Sequence, residues 1–264
     1  MSTAQRLESI TRKWWFFVIV LALFFIPSYS SRPFDPRETS KLITAVLSNP
    51  LIYAIPTLMP MFKVLPILLI ISLVIWNDTV TRFFDAYVAV TVLLFALFQS
   101  MAITQEFGFV IMVGNVVIYL LVAFVWFWET AIKANSFLPR SRPLWRYWVV
   151  PVAFLAFWFP LNTQTLGPDF SFAQLATNSA GLTTCMMLPV YLAVLTLYYP
   201  TVNLVVLRIT GLAGAITGLL NVMQWFLLTP HLWLGILHLP LLIISVYALT
   251  LSFRKSPTPH AGEA

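Results

Sequence analysis

The sequence predicts an all-α integral membrane protein, a polytopic helical bundle of about eight transmembrane helices. Three observations carry that expectation. Of 264 residues, 60% are hydrophobic and only 9% are charged, against roughly 25% charged in an ordinary soluble domain. So few charges cannot cover a water-exposed surface, and the mean hydropathy of +0.88 points to lipid as the solvent. Eight apolar runs approach the length of about 20 residues that a helix needs to cross the hydrocarbon layer. The loop charges, finally, fall into a one-sided pattern.

The first run starts at Trp14 with "WWFFVIVLALFFIPSYS". The second, Met59–Trp76, contains Lys63 and Pro66 and is the least regular. Then follow Phe83–Ile103, Phe107–Trp128, Trp145–Leu161, Leu182–Tyr199, Leu207–Leu228 and Trp233–Phe253. Between the first two lies "KLITAVLSNPLIYAIPTLMP", residues 41–60, interrupted by Pro50, Pro56 and Pro60. Each proline removes a backbone donor and crowds the preceding turn. A straight span is therefore not expected there; the segment reads as interfacial or re-entrant, or as an amphipathic helix on the membrane surface. Residues 1–253 form one transmembrane domain on this reading. The polar end "SPTPHAGEA" gives residues 254–264 the character of a disordered cytoplasmic tail.

With the N-terminus inside, the inner segments hold Arg6, Arg12, Lys13, Arg82, Lys133, Arg140, Arg142, Arg146, Arg254 and Lys255, and Arg208 lies at an inner helix end. The outer segments hold Arg32, Arg37 and Lys41. That orientation obeys the positive-inside rule and its inverse violates it; it places the chain in the plasma (inner) membrane with both termini cytoplasmic. The block "KANSFLPRSRPLWR" reads as a topology determinant, or as a site for anionic headgroups. Arg12-Lys13, the short apolar run and Ser28-Tyr29-Ser30 also resemble a signal peptide. Cleavage there would leave seven spans, although the bulky "FFIP" before the site is atypical.

Polar side chains inside spans are costly to insert and are the default candidates for function. Most of them fall toward the outer side: Gln99, Asn115, Thr183, Thr184, Cys185, Asn221, Gln224, His231 and His238, with Glu106 in the outer turn after the third span. The outer loop Asn162–Gly181 adds Asp169. These groups are expected to border an outward-facing, weakly anionic vestibule with Glu106 at its mouth, and Glu106, Asn115, Asn221, Gln224 and His238 are the candidate ligand-binding residues. Gly211, Gly214 and Gly218 form a small-residue stripe on the seventh span, suited to close helix packing. On the inner side, Asp78, Arg82 and Asp85 have the spacing of a salt-bridged helix start. Glu129 and Arg208 read as snorkelling groups.

Much catalytic chemistry lacks its residues. There is no Gly-rich phosphate loop, G-x-S-x-G elbow, H-E-x-x-H, C-x-x-C or EF-hand loop. A single cysteine excludes an intrachain disulfide, and His231 and His238 lie on one span, so no haem, metal or other cofactor is expected. No basic tract with interleaved aromatics suggests nucleic acid. The functional expectation is a small carrier or translocator of a solute or lipid. The alternatives are a membrane-embedded subunit or scaffold for partner proteins, and an intramembrane lipid-modifying enzyme using Glu106, Asp169, His231 or His238 as acid and base. The first expected outcome concerns the leader: N-terminal sequencing of the mature protein gives a start at or next to Met1, and a start near Ser31 removes the first span.

Overall fold

The computed structural model describes residues 2–54, 57, 59–139 and 141–254. Its helices are α1 (Thr3–Thr11), α2 (Trp14–Phe24), α3 (Thr39–Ser48), α4 (Met59–Trp76), α5 (Thr81–Leu94), α6 (Val113–Ile132), α7 (Val149–Trp158), α8 (Gln174–Thr177), α9 (Thr184–Tyr198), α10 (Leu204–Met223) and α11 (Leu232–Phe253). Wide π turns extend α5 through Phe95–Gln99 and α10 through Gln224–Leu228. The all-α class holds, with one small antiparallel sheet of three short strands, β1 (Tyr29–Ser30), β2 (Met101–Thr104) and β3 (Gly108–Ile111), in the order β1-β3-β2.

Among the described residues, four helical stretches are long and apolar enough to cross a membrane: Met59–Gln99, Val113–Ile132, Leu204–Leu228 and Leu232–Phe253. A fifth is added if Gln174–Leu182 and Thr184–Tyr198, bent by 95°, form one span. Length and apolarity alone therefore support four or five of the eight expected crossings. Met59–Gln99 has 41 residues and would extend about 60 Å if straight. It folds back instead at Asn77, where φ is 49°. Gly181 lies against the backbone of Phe62 near its start, and Gln99 at its end bonds to Thr184, so its two ends meet. α2 and the stretch Leu144–Trp158 are shorter apolar helices.

Polar contacts sort the helix ends into two groups. At the basic end, Arg208 bonds to Thr11 and Ser252, Asp78 to the loop at Ser136, and Arg146 to Tyr199. At the opposite, hairpin end, Gly114 abuts the Phe24 carbonyl, Trp233 donates to Pro160 and Asn221 reaches Cys185. The main core cluster joins α5, α6, α9, α10 and α11 through Phe84, Trp126, Tyr191, Leu207 and Ile244. α10 packs closely on α11, where a Cβ at Gly218 would stand 2.8 Å from the Leu242 backbone. Gly211 faces Ser245 and Leu249, and Gly214 faces the Ser245 side chain, so all three glycines of the sequence stripe lie in this seam.

Several expectations need correcting. Residues 101–111 are a β-hairpin, not the end of one helix and the start of the next. Alternation in Met101-Ala102-Ile103-Thr104 and the left-handed Gly108, φ 69°, favour strands and a turn there. The third helical run therefore stops at Gln99 and the fourth begins at Val113. The Asp78–Arg82–Asp85 ion pairing does not form: Asp78 accepts from Ser136 and the Phe137 N–H, and Arg82 donates to the Thr130 carbonyl. Glu129 and Arg208 do not snorkel, because both are fully buried. Lys63 is buried as well; its Nζ donates to the Phe157 carbonyl and sits 4.3 Å from that ring. Within 41–60, Thr39–Ser48 is helical and Leu51–Ala54 is a 3-10 turn. Of the tail, Arg254 caps α11 and residues 255–264 lie outside the described residues.

These contacts rank the glycines. Alanine at Gly218 meets backbone at 2.8 Å and at Gly114 meets the Phe24 carbonyl oxygen at 2.0 Å, whereas at Gly214 it meets the Ser245 hydroxyl, which can rotate. Gly114→Ala and Gly218→Ala are expected to lower stability in detergent by about 1–3 kcal/mol, with Gly214→Ala costing less. Thermal unfolding of the three variants gives the order.

Candidate functional site

α2 has 11 residues and its neighbour α6 has 20, a difference in length of about 14 Å. Pro27 is the local reason that α2 stops, since the residue before a proline is pushed out of helical geometry. The space left above α2 at the hairpin end is partly filled by the chain that follows, up to and including α3. What remains is a cavity of about 380 Å³. Its wall comes from the end of α2, one face of α3, the ends of α5 and α10, and the starts of α6 and α9.

Both π turns deliver an amide to that wall. A π turn carries an extra residue and rotates everything after it relative to regular helix, and such bulges recur at functional sites. In α5 it presents Gln99; in α10 it presents Gln224. Asn115, in the first turn of α6, and Asn221, in the last turn of α10, complete four carboxamides. Hydroxyls of Tyr119, Thr184 and Thr217 and the Cys185 thiol line the same space, with Phe24, Phe25, Ile43 and Leu228 as apolar wall. Among the described residues, no Asp, Glu, Lys, Arg or His lines it.

The internal hydrogen bonds of these groups leave specific atoms uncommitted. Gln99 Oε1 accepts from the Thr184 N–H at 2.9 Å and its hydroxyl at 2.5 Å, so the Gln99 amide NH2 is open. Asn221 Nδ2 donates to Cys185 Sγ at 3.1 Å and Gln224 Nε2 to Thr229 Oγ1 at 3.0 Å. Asn115 Nδ2 makes only a long contact, 3.9 Å, to Met112 Sδ. Among the described residues, nothing donates to the side-chain carbonyl oxygens of Asn115, Asn221 and Gln224. The cavity therefore offers three open carbonyl oxygens beside apolar surface, and each of the four carboxamides keeps at least one N–H free to donate. Tyr119 and Thr217 satisfy one another at 2.7 Å.

Of the sequence candidates, Asn115, Asn221 and Gln224 come together here, while Glu106 and His238 do not. Glu106 is exposed in the β2–β3 turn and pairs with Lys41, a partner 65 positions away in sequence. That contact holds the Lys41 ammonium above its usual range; as an exposed pair it is screened by water and adds little to stability. His238 is buried, with Nδ1–H donating to the Leu234 carbonyl at 2.7 Å and its ring 6.0 Å from Trp225. His231 is exposed at the start of α11, also beside Trp225. Asp169 organises its own loop, accepting from Gln174 and the Ser171 N–H, contacts that hold its carboxyl below the usual range. The support it gives the loop is complete at neutral pH and is lost as the pH falls through that lowered range. Neither acid reaches the cavity, so its wall is neutral rather than weakly anionic.

Sequence reasoning missed Tyr119, Thr217 and the contribution of α3, through Thr39, Ser40, Ile43 and Leu47. Polar-face periodicity gives a weak signal for the first two, since Tyr119 lies one helical turn beyond Asn115 and Thr217 one turn before Asn221. Among the described residues, no group of three or more His, Cys, Asp or Glu side chains is placed to hold a metal ion. Comparison with protein-family models, with curated proteins and with solved structures returns no match.

Proposed function

We propose that the protein is a small multi-pass carrier or translocator whose cavity takes up an uncharged, hydrogen-bond-donating solute or lipid headgroup. The observation that carries this reading is the cavity of about 380 Å³ walled by four carboxamides, three of them with open carbonyl oxygens, and by no charged side chain among the described residues. An ionic ligand would meet no counter-charge there and would lose its hydration. A neutral donor, such as a hydroxyl or amide N–H, satisfies the open acceptors while its apolar part lies on Phe24, Phe25 and Leu228. Carboxamides that offer open carbonyl oxygens together with open N–H groups suit molecules that donate and accept at one atom, as hydroxyl-rich ones do.

The membrane placement belongs to the same proposal. Each of the eight apolar helical stretches, α2, α4, α5, α6, α7 with its preceding 3-10 turn, α9, α10 and α11, is read as crossing from one end of the bundle to the other. Eight crossings keep both chain ends at the basic end. Arg6, Arg12, Lys13, Arg82, Lys133, Arg142, Arg146 and Arg254 gather there, against Arg32, Arg37 and Lys41 beyond the other end, which supports a cytoplasmic basic end in the plasma membrane. The cavity then opens toward the outside, where α3 lies along it as an interfacial wall.

The test uses purified full-length protein in lipid nanodiscs and a thermal-shift series of neutral polyols, sugars, amides and glycerolipid headgroups. A ligand bound only by the folded state raises the unfolding temperature by mass action. Stabilisation by a hydroxyl-rich compound, lost in an Asn221→Leu/Gln224→Leu variant that inserts and elutes like the parent, is the expected outcome. Unaltered stabilisation in that variant contradicts the assignment of the cavity. A fixed-ratio protein partner with no small-molecule stabilisation contradicts the carrier reading and favours a membrane subunit.

A further inference from the structure

A second polar site lies at the basic end, remote from the cavity. Asp85, in the second turn of α5, has no exposed surface. Its Oδ1 accepts from Asn135 Nδ2 at 3.0 Å, and its Oδ2 is buried without any hydrogen-bond partner. Glu129, equally buried, shares the same loop residue: Oε1 accepts the Asn135 N–H at 2.5 Å and Oε2 accepts Asn203 Nδ2 at 2.5 Å. Glu129 thus has a donor on each oxygen, as an ionised carboxylate requires, and Asp85 has only one.

Among the described residues, no cation compensates the pair. The ion pairs among the described residues are Arg12–Glu8, Lys41–Glu38 and Lys41–Glu106. The charged groups around the site are otherwise engaged or outside it. Asp78, on the turn before α5, is bound by Ser136 and Phe137, and Arg82 of α5 donates to Thr130. Lys133, after α6, is exposed. On the loop, Arg142 stacks on Tyr198 of α9 and Arg146 donates to Tyr199. Arg208 of α10 is bound by Thr11 and Ser252. Two ionised carboxylates joined through one carboxamide, with no cation among the described residues beside them, would repel in a poorly polarisable interior.

We propose that Asp85 is a proton-binding site, holding its proton on Oδ2 while Asn135 and Asn203 hold Glu129 ionised. The proton removes the repulsion and turns an orphaned acceptor into a donor. Thr81 Oγ1, buried and likewise without a partner, lies one turn earlier on the same helix face and is an open acceptor for it. The proton comes from and returns to water at the basic end, with the carboxyl O–H bond the only bond formed or broken. Its loss puts a second negative charge beside Asn135 and weakens the hold on loop 133–139, so proton exchange and loop release are one event. The inference stands on the basic-end network alone and survives if the cavity has no ligand.

Infrared difference spectroscopy on the full-length protein in nanodiscs, between neutral and alkaline buffers, tests it. A protonated-carboxyl C=O band that shifts in heavy water, disappears on alkalinisation and is absent from Asp85→Asn is expected. In Glu129→Gln, where the neighbouring charge is gone, the same band should be lost at lower pH than in the parent. Isotopic labelling of aspartate shifts the band in the unmutated chain and decides the matter if Asp85→Asn does not fold. A parent protein with no such band, a band that aspartate labelling leaves unmoved, or one that folded Asp85→Asn retains, overturns the proposal.

Discussion

The carboxamide and backbone of one loop residue, Asn135, tie three helices together at the basic end. Its Nδ2 donates to Asp85 of α5, its N–H to Glu129 of α6, and its Oδ1 accepts the N–H of Asn203, which caps α10. These groups are buried, so their hydrogen bonds have to come from the protein itself. The loop is drawn in with them: Ser136 and Thr201 exchange hydrogen bonds, and Phe137 packs on Phe84 and Tyr198. Because Asn203 both caps α10 and binds Glu129, the network also fixes where α10 starts. The glycine seam against α11 and the positions of Asn221 and Gln224 follow from that start.

The two ends of the bundle solve the same problem in opposite ways. At the basic end, buried charged groups are held by backbone and amide partners, with Asp85 Oδ2 and Thr81 Oγ1 left over, and space is filled by rings such as Phe84, Phe137 and Trp126. At the hairpin end, the short α2, the two π turns and the bend before α9 leave a cavity whose polar groups are only half satisfied. Four carboxamides facing one space, with hydrogen-bonding capacity the fold does not use, are available to a ligand there. The packed seam between α10 and α11 connects the two ends through a rigid element.

The sequence made the membrane class legible because composition and run length report directly on the solvent. Met59–Trp76 is helical over the bounds the apolar run suggested, and α9, α10 and α11 start or end within three residues of theirs. Asn115, Asn221 and Gln224 were visible as amides costly to bury. Less legible was anything set by packing between distant segments. The Lys41–Glu106 pair joins residues 65 apart, so Glu106 looked uncompensated. Asp85 and Glu129 looked like surface charges, because nothing local reveals that Asn135, beyond the end of α6, folds back over them. The π turns have no composition signature, yet they aim Gln99 and Gln224. The β-hairpin at 101–111 was hidden by apolar residues that serve a strand as well as a helix end.

The proposed eight crossings of the bilayer between these two ends set where every other feature lies. Single cysteines placed at Ser31, Asn77, Glu106, Lys133, Thr165, Thr201 and Pro230 in a Cys185→Ser background, probed in sealed oriented vesicles with a membrane-impermeant thiol reagent, test that directly. Labelling at residues 31, 106, 165 and 230 from one side, and at 77, 133 and 201 from the other, is the predicted result. Labelling of residue 77 from the same side as residues 31 and 106 would contradict it, since α4 and α5 would then not cross.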